Sequence, residues 1–130
     1  MSTNLRVDPN WDSLLFARHE IILAAANAKI DILDMPYFGL TNSDGLEKES
    51  RMALKIGFNG KCAIHPKQID VINQVFSPSL DEVKDAKRLI KKYESQNMAF
   101  AEIDGVLMEK PVVDRLYRII AIAEQISHKD

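Results

Sequence analysis

Two polar residues stand where a parallel α/β protein gathers its functional groups. Asp34 ends a β-strand predicted over Ile30–Asp34, and His65 follows a second predicted strand, Lys61–Ile64. In parallel α/β folds, ligands bind at the carboxyl ends of the strands. The sequence therefore predicts that His65 lies where functional groups gather, and Asp34 stands at the same end of the other strand. An alternative for His65 is a purely local hydrogen bond at the end of its strand.

Helices must surround these strands, and their ends are marked by capping and turn residues. Gly57 can adopt the left-handed conformation that closes a helix, and Pro66 suits the first turn of the next one. Asn10 or Asp12 is predicted to cap the first helix, and Ser43 or Asp44 the second. The first predicted helix runs from Trp11 to about Asn27, and the second from its cap at Ser43 or Asp44 to Ile56. The later helices are predicted from Pro66 to Phe76, from Leu80 to Gln96, and from Pro111 to Ser127.

Three residues have either two possible roles or a purely structural one. Arg18 lies on the apolar stripe of the first helix. Its aliphatic stem is predicted to pack against the core while the guanidinium is solvated. Alternatively, the guanidinium meets a carboxylate on a neighbouring element. A solvated strand start is one interpretation of Lys61. Cys62 is predicted to be a small core residue.

Composition excludes several classes of protein. The chain has 130 residues, a net charge of −2 and one cysteine, so it cannot form an internal disulfide or a Cys-rich metal site. This charge balance favours neither nucleic acid nor an acidic membrane as a partner. The longest apolar segment, Ile21–Ala26, is far too short to span a bilayer. The expectation is a soluble cytoplasmic protein without nucleic-acid or membrane partners.

The second part of the chain carries local signals for a helix, a hairpin and another helix. Ser79 and Glu82 have the spacing of a capping box. Asp104-Gly105 separates the apolar segments Phe100–Ile103 and Val106–Met108, which is typical of a β-hairpin. The predicted domains are residues 1–78, built of βα units, and residues 79–130, a helical extension with a hairpin.

Two parallel strands rarely form a stable sheet by themselves, because parallel sheets are normally covered on both faces. The rest of the sheet is therefore expected to be missing or to be supplied by another chain.

Five segments together resemble one family. They occur in order and are Leu14–Arg18, Leu33–Tyr37, Asp44–Leu46, Gly57–Gln68 and Gly105–Pro111. This arrangement resembles the carboxyl-terminal half of the citrate lyase beta-subunit family, which includes malyl-CoA and citramalyl-CoA lyases. The segment Gly57–Gln68 carries the most specific part of the resemblance.

The resemblance implies a fold and an activity. The fold would be α/β: the carboxyl-terminal part of a (β/α)₈ TIM barrel, with about two parallel strands, followed by a helix–hairpin–helix extension. The activity would be Mg²⁺-dependent cleavage or formation of a carbon–carbon bond in a CoA or acyl-carrier thioester of a hydroxy acid. The metal ligands are expected outside this chain. The implied partner is another copy of the chain or the missing amino-terminal half.

The resemblance also implies site residues. The loops after the two strands would line the CoA and substrate channel, with the candidate residues Asp34, Pro36, Tyr37, Ile64, His65 and Pro66. Glu109 would be a catalytic acid acting in a neighbouring subunit, at a position where the family usually has Asp; alternatively it is only an acid favoured by the helix dipole. Asp44 is predicted to be a cap rather than a ligand. The alternative function is a truncated, non-catalytic CoA-binding or assembly module.

Overall fold

The computed structural model of the chain describes residues 6–96 and 102–127. The chain divides into two units, Met1–Phe76 and Ser77–Asp130. The first unit holds both predicted strand ends, and the second holds the hairpin.

The first unit alternates helices with two short parallel strands. The helices are α1, Trp11–Ala28; α2, Ser43–Ile56; and α3, Ile69–Phe76, which follows a 3₁₀ turn over Pro66–Gln68. The strands are β1, Leu33–Asp34, and β2, Gly60–Lys61. They pair in parallel, with Leu33 opposite Gly60 and Asp34 opposite Lys61. This is the βαβ connectivity that the sequence predicted.

The strands are shorter than predicted, and side chains explain where they stop. The Ile32 N–H donates to the side-chain Oδ1 of Asn59 at 2.8 Å, so a side chain takes the place of a strand partner. At the other end, the Cys62 N–H still donates to the Asp34 carbonyl at 3.0 Å. The Ile64 N–H instead donates to the Gln68 side chain. The predicted strand Ile30–Asp34 therefore begins three residues too early, and the predicted strand Lys61–Ile64 begins one residue and ends three residues too late.

The helix caps were predicted in part. Asn10 caps α1, with its side chain accepting from the Ser13 N–H, and Gly57 closes α2 at φ 117°. The cap of α2 is Asn42, whose Oδ1 accepts from the Gly45 N–H at 2.8 Å. The prediction of Ser43 or Asp44 is thus wrong, because α2 begins at Ser43 itself. That start is one residue earlier than a cap at Ser43 would allow, and two residues earlier than a cap at Asp44 would allow.

The two faces of the strand pair differ in exposure. Asp34 and Lys61 are buried, whereas the Leu33 side chain is 61% exposed and lies across Gly60, whose added Cβ would come within 2.7 Å of it. Cys62 is exposed, so the prediction of a core cysteine is wrong. The core of this unit consists of Leu14, Ala25, Leu46, Ala53, Phe58, Ile72 and Val75.

The second unit contains two helices and a hairpin. Its elements are α4, Leu80–Ser95; β3, Glu102–Ile103; β4, Val106–Leu107; and α5, Lys110–Ser127. The predicted capping box is confirmed, because the Ser79 N–H donates to Glu82 Oε2 at 2.8 Å and the Glu82 N–H donates to Ser79 Oγ at 3.2 Å. The core joins both helices and the hairpin through Ala86, Leu89, Ile90, Ile103, Met108, Val113 and Leu116.

The hairpin turn has the conformation that its sequence predicted. Asp104 and Gly105 have φ of 52° and 77°, the pair of positive angles that a two-residue hairpin turn of type I′ requires. Lys92 on α4 donates to both carboxylate oxygens of Asp104, and this holds the pKa of Asp104 below its ordinary value. Phe100, predicted to belong to the first hairpin strand, lies outside the described residues.

Across the parts of the chain that the structure describes, every helix is too short or too polar to cross a lipid bilayer.

Candidate functional site

Four charged residues meet beneath the strand ends of the first unit, and we call them the charge cluster: Arg18, Asp34, Glu49 and Lys61. Arg18 Nε lies 2.8 Å from Asp34 Oδ1. Lys61 Nζ lies 2.7 Å from Asp34 Oδ2 and 2.7 Å from Glu49 Oε1. Arg18 Nη2 lies 3.7 Å from the same Glu49 oxygen. Two cations therefore face two anions, and the cluster is neutral overall.

Each member of the charge cluster comes from a different element, so the cluster ties the unit together. Arg18 lies on α1, Asp34 on β1, Glu49 on α2 and Lys61 on β2. The side chains of Asp34 and Lys61 are 1% and 0% exposed. Charges removed from water are costly unless they are paired, and removing one partner leaves an uncompensated charge. The cluster thus fixes the positions of both strands against both helices.

The structure decides between the interpretations of Arg18 and Lys61. The Arg18 guanidinium is not solvated; it meets the carboxylate of Asp34 and lies 4.3 Å from the centre of the Trp11 ring. Lys61 is buried rather than a solvated strand start. The sequence offered one signal for this arrangement, namely a single cation on an otherwise apolar helical stripe. Glu49 lies on α2 away from any such signal and was missed.

The burial of Asp34 limits what it can do. Both of its carboxylate oxygens accept hydrogen bonds from buried cations, and its carbonyl accepts from the Cys62 N–H. A side chain that is 1% exposed and fully bonded stabilises the strand end rather than presenting a charge to a ligand. The loop that follows Asp34, rather than its side chain, is therefore the part available for the predicted ligand binding.

Two loops follow the strands, and we call residues 35–38 and 62–65 the strand-end loops. Gln68 joins them: its Nε2 donates to the Tyr37 carbonyl at 2.8 Å, and its Oε1 accepts from the Ile64 N–H at 3.0 Å. Gln68 is only 3% exposed. The structure thus brings Tyr37 and Ile64, two of the predicted binding residues, to one place.

The sequence places Gln68 in the segment Gly57–Gln68 and predicts no role for it. A signal for its role was present, since Gln68, Ile72 and Val75 share one helical face and are all buried. A polar side chain on such a face needs partners for its hydrogen bonds.

The first strand-end loop is fixed at the side chain of Tyr37 as well. The Tyr37 hydroxyl accepts a hydrogen bond from Asn42 Nδ2 at 3.1 Å. The aromatic ring lies against two glycines: a Cβ on Gly39 would come within 2.7 Å of the ring, and a Cβ on Gly45 would overlap the hydroxyl. Tyr37 therefore connects the loop to the capped start of α2.

His65 makes the local hydrogen bond that the sequence allowed. Its Nδ1 accepts from the Lys67 N–H at 3.2 Å and so caps the 3₁₀ turn. An Nδ1 that accepts leaves the proton of a neutral imidazole on Nε2. Pro66 begins the turn and is exposed, while Pro36 is half-buried beside Tyr37. Ligand binding by these residues stays a prediction.

A cleft of about 470 Å³ lies beside the strand-end loops. Its walls are formed by residues 39–43, Leu46, Lys67 and Gln68. Gln68 therefore lines the cleft and also joins the two strand-end loops.

Glu109 lies in the second unit, directly before α5. Its N–H donates to the Leu107 carbonyl and its carbonyl accepts from the Val113 N–H. The residue is exposed, so its carboxylate is accessible to another molecule. Its role as a catalytic acid stays a prediction.

The described residues offer no obvious metal site. Within 6–96 and 102–127, no three His, Cys, Asp or Glu side chains lie close enough together to hold an ion. The two acids of the charge cluster, Asp34 and Glu49, are bonded to Lys61.

Comparison with known proteins supplies a context for this site. A family model described as a C–C bond lyase of the TIM-barrel fold matches residues 14–114. Citrate lyase subunit beta of Haemophilus influenzae is 32% identical over 126 residues, which cover 93% of this chain and 43% of that protein. Mitochondrial citramalyl-CoA lyase of Rattus norvegicus is 29% identical over 119 residues, covering 89% of this chain and 35% of that protein.

A solved structure supports the same fold. The CitE protein of Mycobacterium tuberculosis, in complex with magnesium, acetoacetate and coenzyme A, matches with a TM-score of 0.76 and 24% identity. The match covers 95% of this chain and 49% of that one. This chain thus spans less than half the length of the relatives that it matches.

Proposed function

This chain belongs to the C–C bond lyase family of the TIM-barrel fold, and we propose on that premise that it supplies the last two βα units of a lyase. The enzyme would cleave or form a carbon–carbon bond in a CoA or acyl-carrier thioester of a hydroxy acid. In this proposal β1 and β2 are the final strands of a barrel, and the second unit is the extension that follows it.

The observation that carries the proposal is the contact between the two strand-end loops. They lie at the carboxyl ends of adjacent parallel strands, and Gln68 bonds one to the other. In TIM barrels, this end of the strands holds the active site. Such a pair of neighbouring loops is suited to hold an extended ligand between them.

The surface of the loops suits the pantetheine arm of a thioester. Gln68 occupies the Tyr37 carbonyl and the Ile64 N–H, so those two backbone groups are not free for a ligand. The Ile64 side chain is 50% exposed, and Pro66 is exposed beside it. These apolar surfaces and the Pro36 ring would contact the methylene groups of the arm, while the His65 imidazole would lie at its polar amides.

Magnesium, when bound in such an enzyme, would act as a Lewis acid on the oxygen that becomes a carbonyl. The described residues do not fit this ion, because the acids of the charge cluster are neutralised by Arg18 and Lys61. Oxygen ligands of the kind that Mg²⁺ prefers would therefore come from residues outside this chain.

Glu109 is proposed to act in the active site of a neighbouring copy of the chain. Its exposure before α5 leaves the carboxylate accessible to another subunit. Glu is one methylene longer than the Asp that the family usually has, and a displacement of about 1 Å can cost about 10²-fold in rate. The proposal therefore requires an oligomer in which Glu109 reaches the strand-end loops of the next copy.

A lyase assay tests this function. The chain would be incubated with Mg²⁺ and malyl-, citramalyl- or citryl-CoA, alone and together with a polypeptide supplying the earlier barrel strands. We expect turnover only with both polypeptides and only with Mg²⁺, and a large loss in Glu109→Gln. Turnover by the chain alone would contradict the external metal site. If CoA binds but the pair never turns over, the non-catalytic module is the correct interpretation.

A further inference from the structure

We propose that Gln68 is a positioning residue that sets the distance between the two strand-end loops and so shapes the channel for the pantetheine arm. This inference rests on the proposed role of those loops in binding a CoA thioester. Gln68 itself would not touch the ligand, because its side chain is buried and both of its polar groups are already bonded.

The contacts of Gln68 need an amide at this position. One bond uses the side chain as donor, to the Tyr37 carbonyl, and the other uses it as acceptor, from the Ile64 N–H. Among side chains of this length, the Gln amide offers a donor and an acceptor together at one end, and a Glu carboxyl does so only when it is protonated. A Met of similar shape satisfies neither bond, and an ionised Glu satisfies only the bond from Ile64.

The stem of Gln68 is held in place by its neighbours. Gln68 lies at the end of the 3₁₀ turn that leads into α3, on the same buried face as Ile72 and Val75. A side chain packed in this way loses little further freedom when its hydrogen bonds form. The position of the amide is therefore set by α3, and the two loops are positioned by the amide.

The Tyr37 end of the contact is rigid as well. Tyr37 is fixed through its hydroxyl to Asn42, and its ring is confined by Gly39 and Gly45. A shift of the Tyr37 carbonyl would have to move this ring and the cap of α2. In the loop after β2, Cys62 and His65 keep hydrogen bonds of their own, whereas the Ile64 N–H is bonded to Gln68. Loss of the Gln68 amide should therefore mainly move Ile64.

The two hydrogen bonds of Gln68 can be removed without removing the contacts that hold the first unit together. The strand pair and the charge cluster lie beneath the loops and do not use Gln68. Removing the amide should consequently change the geometry of the loops while the strands and helices remain in place. A residue with a merely structural role would instead affect all ligands and all regions alike.

The test compares Gln68→Met with Gln68→Glu and with Gln74→Met. Gln74 lies on the exposed side of α3, so its replacement makes the same chemical change without touching the loops. Calorimetric titrations would use CoA, pantetheine, and adenosine 3′,5′-bisphosphate, which lacks the arm. We expect Gln68→Met to weaken binding of CoA and pantetheine by about tenfold or more, since both hydrogen bonds of the Gln68 amide are lost. Binding of adenosine 3′,5′-bisphosphate should be unchanged. Gln74→Met should match the wild type.

Amide hydrogen exchange gives a readout that does not require a ligand. The Ile64 N–H should exchange slowly in the wild type, in Gln68→Glu and in Gln74→Met, and rapidly in Gln68→Met. Equal CoA affinity in wild type and Gln68→Met, or unchanged Ile64 exchange in Gln68→Met, would overturn the inference. If the wild type binds no CoA, the proposed function fails, and the exchange result alone decides whether Gln68 positions the loops.

Discussion

The guanidinium of Arg18 binds the carboxylate of Asp34 along its side, with Nε 2.8 Å from Oδ1 and Nη2 3.4 Å from Oδ2. Their side chains are 5% and 1% exposed. The pair joins α1 to β1, and Lys61 extends the contact to β2. The strand ends that carry the proposed binding loops therefore stand on a buried network of charges.

Removing Asp34 should be far more harmful than removing an exposed partner. In Asp34→Ala, Arg18 and Lys61 keep only Glu49 as a counter-charge, and breaking a buried pair costs about 3–5 kcal/mol of unfolding free energy. The matched control is Glu47→Ala, which removes an exposed partner of Arg51 and should cost about 1 kcal/mol or less. Urea denaturation followed by circular dichroism measures both. Equal losses in the two variants would contradict this view of the cluster.

A substitution at Gly45 tests the position of the Tyr37 ring. A helical Gly→Ala change ordinarily stabilises by about 1 kcal/mol, but an added Cβ at Gly45 would overlap the Tyr37 hydroxyl and crowd the Asn42 side chain. Since Asn42 caps α2, and a lost cap costs about 1 kcal/mol, we expect Gly45→Ala to destabilise the protein. Thermal unfolding monitors the change, and a higher melting temperature would show that the ring does not occupy this place.

Gly105 tests the hairpin turn. Its φ is 77°, and among the described residues other than its chain neighbours no heavy atom lies within 4 Å of an added Cβ, so backbone strain should be what opposes a substitution. Gly105→Ala is expected to lose about 1–2 kcal/mol. Gly105→Asn should lose clearly less, because Asn tolerates the left-handed conformation better. If denaturant melts of the two variants coincide with that of the wild type, the turn does not have this conformation.

Glu82 should make the stability of the second unit depend on pH. Hydrogen bonds from Ser79, chiefly from its backbone N–H, lower the pKa of Glu82 from its ordinary 4.5. A lowered folded-state pKa stabilises above the unfolded pKa, and this contribution is lost as pH falls through the folded value. Gln can still complete the capping box but does not titrate. Glu82→Gln should therefore flatten the stability profile below about pH 4.5, measured by denaturant melts between pH 6 and 3. An unchanged slope would rule out this contribution of Glu82.

The features that the sequence predicted correctly depend on neighbouring residues. Gly57 closes a helix, Ser79 with Glu82 begins one, and Asp104-Gly105 forms a turn, because each of these choices is made within a few positions of the chain. The helical period also predicted which face of α1 carries Arg18.

The features that were missed depend on distant partners. The partner of Arg18 could not be predicted, because nothing in the spacing of α1 indicates which carboxylate lies opposite. Lys61 was equally ambiguous, since a strand position does not say whether a helix covers that face. Gln68 reaches a carbonyl 31 residues earlier in the chain, a contact that exists only after the strands have paired. Cys62 was assigned to the core from residue type alone.

The central claim is that the two strand-end loops bind a CoA thioester, and a nuclear magnetic resonance titration tests it most directly. CoA would be added to isotope-labelled protein while the backbone amides and the Gln68 side-chain amide are followed. The account predicts saturable shifts concentrated at Tyr37, Ile64 and His65 and at the Gln68 amide. Shifts confined to the exposed Lys84, Lys87 and Lys91 of α4, or no saturable shifts at all, would contradict it.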